Sequence, residues 1–387
     1  MPALVRWCSV LLLTCAVGSL GCRADGTSPH GDDGGRLDAG PTDAGPLPDT
    51  GPDTGRDAGP GDAGPSCPCP TLPTVCTPPA VATPVFSPST GFGDELMQLL
   101  ACADTSIHMA VYETLWDCVP GAIAARLEAD ADLMVQIVID DDQCPRVAGR
   151  LDCAWAALDG HPRVSIVDDS RSNLMHHKFV IVDGARVWVS SANLTTNSFC
   201  SDFNNSIIVD QPEIVAGYEA QFDRMHNLGG FGPVAPTDPI RGGVYALYFS
   251  PETPLSMPSR WFADMVATID ASTTSIEFMI SAFTRTEVSD ALIAAHGRGV
   301  RIQGIIAGAY AGDAPAMALQ TAGVDFRIDN VHHKVMIVDG HLVLTGSPNW
   351  SQASWANNEA SLWIDDATIA GAYAAELDRV YMGARLP

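Results

Sequence analysis

The nine residues from His176 to Gly184 read His-His-Lys-Phe-Val-Ile-Val-Asp-Gly, and the stretch from His332 to Gly340 repeats seven of them 156 residues later. That spacing exceeds any solenoid period and points to duplication of a whole domain. A chain of 387 residues has room for about two such units. Lys178 and Lys334 are the only lysines, against nineteen arginines. The two positions therefore select a compact ammonium on a flexible stem over a planar guanidinium.

The repeat extends beyond the phrase. Phe86-Ser87-Pro88 opens one copy and Phe249-Ser250-Pro251 the other. Helical spacing of apolar residues follows over 94–103 and 260–269, then a strand pattern over 106–112 and 275–280. A second helix is expected at 120–129 and 287–298, and a second strand at 133–139 and 301–306. Strands alternating with helices predict an α/β fold of two similar α/β/α halves. Two copies packed about a pseudo-twofold axis would present the same segment to one shared active site. The halves are placed at 67–240 and 241–387, with the Gly- and Pro-rich stretch 229–243 as the seam.

In an extended strand, residues two apart project to one face, so His176 pairs with Lys178 and His332 with Lys334. The apolar runs Phe179–Val182 and Val335–Val338 mark buried strands, whose mouths carry imidazole and ammonium. Seventeen residues after each first histidine stands an asparagine, Asn193 and Asn349, two positions beyond Ser191 and Ser347. Two ammoniums and four neutral donors around two imidazoles suit a phosphodiester, because in-line displacement spreads charge over the nonbridging oxygens. One imidazole can attack phosphorus while the other, protonated, serves the leaving oxygen. Metal binding by His177, His333 and nearby Asp is the alternative, opposed by the adjacent ammoniums.

These residues resemble the phospholipase D superfamily, whose signature is His-x-Lys, four residues, Asp, six residues, Gly-Ser-x-Asn. His176, Lys178, Asp183, Ser191 and Asn193 match one copy; His332, Lys334, Asp339, Gly346, Ser347 and Asn349 match the other. The resemblance implies a bilobal α/β fold, no cofactor or metal, and a phosphohistidine intermediate. It further implies His176 as nucleophile, His332 as general acid, and Asp183 and Asp339 as supports bonded to backbone. Two departures stand out. Ser190 replaces the glycine of the first copy, which changes backbone freedom beside Ser191. The family tends to place an acidic residue after the Asn to orient the imidazole of its own half. Glu359 fits that place for His332, whereas Asn204-Asn205-Ser206 offers only Ser206, with Asp202 as a substitute.

Residues 1–21 read as an export signal, ending in Leu20-Gly21-Cys22, which resembles a bacterial lipoprotein signal with Cys22 lipidated. Simple secretion and a membrane span are the alternatives, the apolar run being short of the ~20 residues a bilayer needs. Residues 22–66 are rich in Asp, Gly and Pro and form a tether that cannot bury a core. Eight further cysteines, all between Cys67 and Cys200, suggest up to four disulfides in the first half, with connectivity open. A metal cluster of Cys67, Cys69 and Cys76 is the rival. The expected location is the bacterial cell envelope, lipid-anchored at the outer membrane or cell surface, or else the exterior. The net charge of −25 disfavours a partner tracked along a nucleic-acid backbone. Phospholipid is thus the favoured substrate; an endonuclease and a noncatalytic phosphate- or lipid-binding protein are the alternatives. Trp188, Trp350, Trp355 and Phe199 near the motifs either pack the core or line an acyl-tolerant rim.

Overall fold

The computed structural model describes residues 67–387. The export segment 1–21, Cys22 and the tether lie outside the described residues. Two mixed sheets carry the fold. The first runs, in spatial order, Val85–Phe86, Asn205–Val209, Arg186–Ser190, Lys178–Val182, Ser106–Val111, Met134–Ile139 and Val164–Asp168. The second runs Ile240–Gly242, Tyr245–Ser250, Glu359–Asp365, Leu342–Gly346, Lys334–Val338, Ser275–Ile280, Arg301–Ala307 and Asp325–Asp329. Leaving out the added edge strand Ile240–Gly242, the orders match strand for strand.

Register repeats as well. Val111 lies opposite Lys178 in the first sheet, and Ile280 opposite Lys334 in the second. The parallel neighbours Met134–Ile139 and Arg301–Ala307 flank the central strand on its other side. Both His-His-Lys strands are buried along their whole length, as their continuous apolar runs require. Alternation divides each run between two cores. Val180 and Val182 pack outward against the helices Thr90–Ala101 and Cys118–Ala129. Phe179 and Ile181 point inward to a core that also holds Val335 and Ile337 of the other half. A seam of apolar side chains therefore joins the two sheets, stabilised by roughly 1.5–3 kcal/mol for each large side chain fully buried.

The expected helices and strands form, with ends shifted by a few residues; the first helix begins at Thr90, before the apolar spacing does. The eight cysteines of the described residues pair as Cys67–Cys200, Cys69–Cys118, Cys76–Cys102 and Cys144–Cys153. All four bridges lie in the first half. Cys67, Cys69 and Cys76 are consumed by separate bridges, so the cluster they were weighed for does not form.

Candidate active site

Each histidine enters its strand through a main-chain bridge to the opposite half. Met175 bridges Asn358, and the His176 N–H donates to the Asn358 carbonyl at 3.0 Å. Val331 bridges Phe203, and the His332 N–H donates to the Phe203 carbonyl at 2.9 Å. The next residue on each bridging segment meets the imidazole. Glu359 Oε1 and Oε2 lie 2.8 and 2.9 Å from His176 Nδ1, with both side chains buried. Asn204 Oδ1 lies 2.8 Å from His332 Nδ1.

This crossing corrects the expectation that Glu359 serves His332 of its own half. It also replaces Ser206 as the counterpart. Ser206 is the strand partner of Ser190 and Ser361 that of Gly346, so two residues earlier Asn204 corresponds to Glu359. The Ser206 hydroxyl instead donates to buried Glu95 at 2.6 Å. Burial pushes the Glu95 carboxyl up to about 7, against the opposing pull of hydrogen bonds from Ser206 and Trp188. Asp202, weighed as a substitute, accepts from Asn330 Nδ2 at 2.7 Å, two residues before His332.

Hydrogen-bond logic sets both tautomers. A carboxylate only accepts, so the His176 proton sits on Nδ1 and leaves Nε2 with its lone pair. Asn204 Nδ2 donates to the Ser198 carbonyl at 3.1 Å, which turns its oxygen toward His332 and places a proton on that Nδ1 too. Ser191 Oγ donates to the same amide oxygen at 2.9 Å. Lys334 Nζ lies 3.0 Å from His332 Nε2 and 2.9 Å from the His332 carbonyl. Lys178 Nζ reaches the His176 carbonyl at 3.2 Å and lies over the Tyr112 ring, whose edge meets the His176 ring.

The second histidine of each phrase falls on the inward row and packs. His177 is fully buried between Phe179 and Phe249, with Gln221 Nε2 3.1 Å from its Nε2. His333 meets Asn205 Nδ2 at 3.0 Å and stacks edge-on with Phe86. Burial holds both imidazoles below the usual histidine range. They stand on the row facing the central core, whereas His176 and His332 open on the outward row. Among the described residues no cluster of three metal-ligating side chains forms.

The remaining motif residues support the frame. Asp183 accepts the N–H groups of Asp104, Thr105 and Ser106, and Asp339 those of Thr273, Thr274 and Ser275. Burial raises both carboxyls, but these donors outweigh it and hold them below the usual carboxylate range. Each thereby ties its motif to the start of the central strand. Ser347 Oγ accepts from the Ala360 N–H at 3.0 Å. Asn349 Oδ1 accepts from the Ala282 N–H at 3.3 Å. Asn193 Nδ2 donates to Glu113 Oε2 at 3.0 Å, a buried carboxylate whose place in the second half is Ala282. Sequence reasoning missed Glu113 and Tyr112; their signal was the polar end of an otherwise apolar strand.

The glycine departure has a local answer. Gly346 sits at φ +128°, and a Cβ there would collide with the Ala360 carbonyl oxygen. Ser190 keeps an ordinary negative φ, and its hydroxyl donates to the matching Asn205 carbonyl at 2.7 Å. Trp188, Trp350 and Trp355 are core residues, the most exposed of them, Trp355, at 4%.

The family whose description reads "Cardiolipin synthase, PLD-like domain" matches residues 96–226 and 265–381, one segment from each half. The chain belongs to the PLD-like domain family. Within it, the mitochondrial cardiolipin hydrolase of Xenopus tropicalis is 34% identical over 135 residues, which cover 33% of this chain and 64% of that protein. This match thus spans just under two thirds of that relative's length. The mitochondrial cardiolipin hydrolase of Chlamydomonas reinhardtii is 26% identical over 207 residues, covering 45% of this chain and 91% of its own. The phosphatidylserine synthase of Haemophilus influenzae shares the bilobal fold at a TM-score of 0.60, over 79% of this chain and 87% of that one, at 11% identity.

Proposed function

We propose that the protein is a phospholipase D-type phosphodiesterase that hydrolyses phospholipids through a phosphohistidine on His176, without a metal. The observation that carries the reading is the unequal holding of the two imidazoles. The Glu359 carboxylate on His176 Nδ1 supports the positive charge that grows on that ring as Nε2 attacks phosphorus. A neutral amide on His332 Nδ1 supports such charge less, which favours release of a proton from Nε2. In the first step the N–P bond forms, the bond to the leaving alkoxide breaks, and His332 gives that oxygen its proton. For Nε2 to carry that proton, Lys334 turns from it to a nonbridging oxygen as substrate binds, and there acts with Lys178 on the developing charge. In the second step water attacks phosphorus, the N–P bond breaks, and His332 takes the water proton. Two ammoniums fill the role a divalent ion would have, and repel one. The phospholipid-directed names of the relatives and the acidic body favour a lipid over a nucleic acid.

The test is headgroup release from phosphatidylcholine or cardiolipin vesicles with chelator present. The expected result is turnover that His176→Ala and His332→Ala abolish, with a phosphoryl adduct on His176 in the quenched wild type. Cleavage of single-stranded DNA in place of lipid would replace this reading with a nuclease. Vesicle binding with neither activity would replace it with a binding module. An export segment and a lipid on Cys22 would hold such an enzyme beside its substrate; palmitate labelling lost in Cys22→Ala checks the anchor.

A further inference from the structure

A cavity in the first half takes no part in the chemistry above. Its volume is about 500 Å³, within the ~300–1,000 Å³ typical of ligand pockets. Trp116 and Phe199, with ring centroids 4.5 Å apart, form its aromatic wall. The disulfides Cys67–Cys200 and Cys69–Cys118 hold the proline-rich segment from Cys67 to Thr71 across it. Its polar side chains, Thr71, Ser89 and Asp94, are exposed.

Three of these walls hang on segments that reach the site. The Trp116 N–H donates to the carbonyl of Leu194, the residue after Asn193. Phe199 belongs to the short helix Thr196–Cys200, whose Ser198 carbonyl turns the Asn204 amide. Pro88 follows Ser87, whose hydroxyl accepts the Asn204 N–H at 3.0 Å. Two of the segments that line the cavity, at Pro88 and Phe199, are therefore hydrogen-bonded through their neighbours to Asn204, the residue that aims His332.

The fold alone does not produce this cavity. In the second half Arg285 stands in the place of Trp116 and Trp355 in that of Phe199, with the guanidinium 4.7 Å above the indole and paired to Glu287. Charge occupies one side where the other is apolar. The geometry points to the first-half cavity as the seat of an acyl chain of the phospholipid whose phosphodiester is cut between His176 and His332. This rests on the function proposed above. Apolar lining, a disulfide frame and lining segments bonded to Asn204 suit a flexible hydrocarbon chain whose polar end must sit at the histidines.

Two measurements test it. A lysophospholipid with a nitroxide on its acyl chain, kept below its micelle concentration, is titrated into the full chain. The expected result is quenching of a tryptophan component that Trp116→Phe removes. Competing unlabelled lysophospholipids should gain about three- to fourfold in affinity per added methylene, until the cavity is full. Quenching that is equal in wild type and Trp116→Phe, or competition independent of chain length, overturns the proposal. In the second measurement Thr71→Trp fills the cavity from its exposed rim. Its kcat/KM for a long-chain phospholipid should fall at least tenfold while that for bis(p-nitrophenyl) phosphate, which has no acyl chain, stays level. Equal loss on both substrates, or on neither, overturns it. Chain-length-dependent binding without lipid turnover would keep the acyl site and remove the enzymatic reading. Lipid turnover without that binding would remove the acyl site alone.

Discussion

The first and second halves have the same strand order, the same register at the lysines and the same aspartate tie, yet they hold their histidines differently. Glu359 of the second half grips His176, and Asn204 of the first grips His332. Duplication supplies a twofold frame, but the reaction proposed here needs two unlike groups, a nucleophile and an acid. The difference centres on one position on each side. Around it the frame is adjusted: Ser190 against Gly346, Glu113 against Ala282, an aromatic wall against an arginine.

The comparison breaks most visibly at Glu359. Glu359→Gln keeps the shape and removes the charge, and phosphohistidine formation in a single turnover should slow by about 10²–10⁴-fold. Loss of less than about threefold would mean that carboxylate and amide are interchangeable here. Next is Gly346→Ala, which adds a Cβ into the Ala360 carbonyl at a backbone angle that disfavours it. Denaturant unfolding should show a cost of about 3 kcal/mol. Ser190→Gly in the other half should cost no more than about 1–2 kcal/mol, the value of its hydrogen bond and added chain entropy.

Making the halves alike should have a smaller effect. Asn204→Glu gives both histidines a carboxylate, and turnover of an alkyl-leaving-group diester should fall about tenfold. A p-nitrophenyl diester should be little changed, because its leaving group needs no proton. A final contrast is in pH. Asp140 accepts the Met175 N–H at 2.9 Å, just before His176, and burial pushes it up to about 6. Neighbouring Asp169 is pushed up further, first by burial and then by the charge of Asp140. By strand register their second-half counterparts are Ala307 and Asp329, so the second half carries one carboxyl where the first has two. A carboxyl raised in the folded state contributes stability that is present below its unfolded value and lost as pH rises through the folded one. The melting temperature should therefore decline as pH climbs from about 4 through the raised values, and Asp169→Asn should flatten the decline.

The frame was legible because duplication and strand alternation are local patterns. His176, Lys178, His332 and Lys334 lie on matching positions, and the apolar runs after them are buried strands. The partners of the imidazoles were not legible, since Glu359 and His176 meet through a bridge between halves, which no spacing along the chain encodes. Asn204 was misplaced for a second reason. Matching Asn204-Asn205 to Asn357-Asn358 sets Ser206 against Glu359, whereas strand register sets Asn204 there, two residues earlier. Disulfide pairing was likewise a matter of folded geometry.

The bridges Met175–Asn358 and Val331–Phe203 make the reaction centre a property of the joined pair. Neither lobe owns a complete histidine: each supplies a ring and borrows the group that aims it. Under the proposed function, turnover reports on how the two lobes are joined. A site built this way carries its own interlock, complete only when the two lobes are correctly seated.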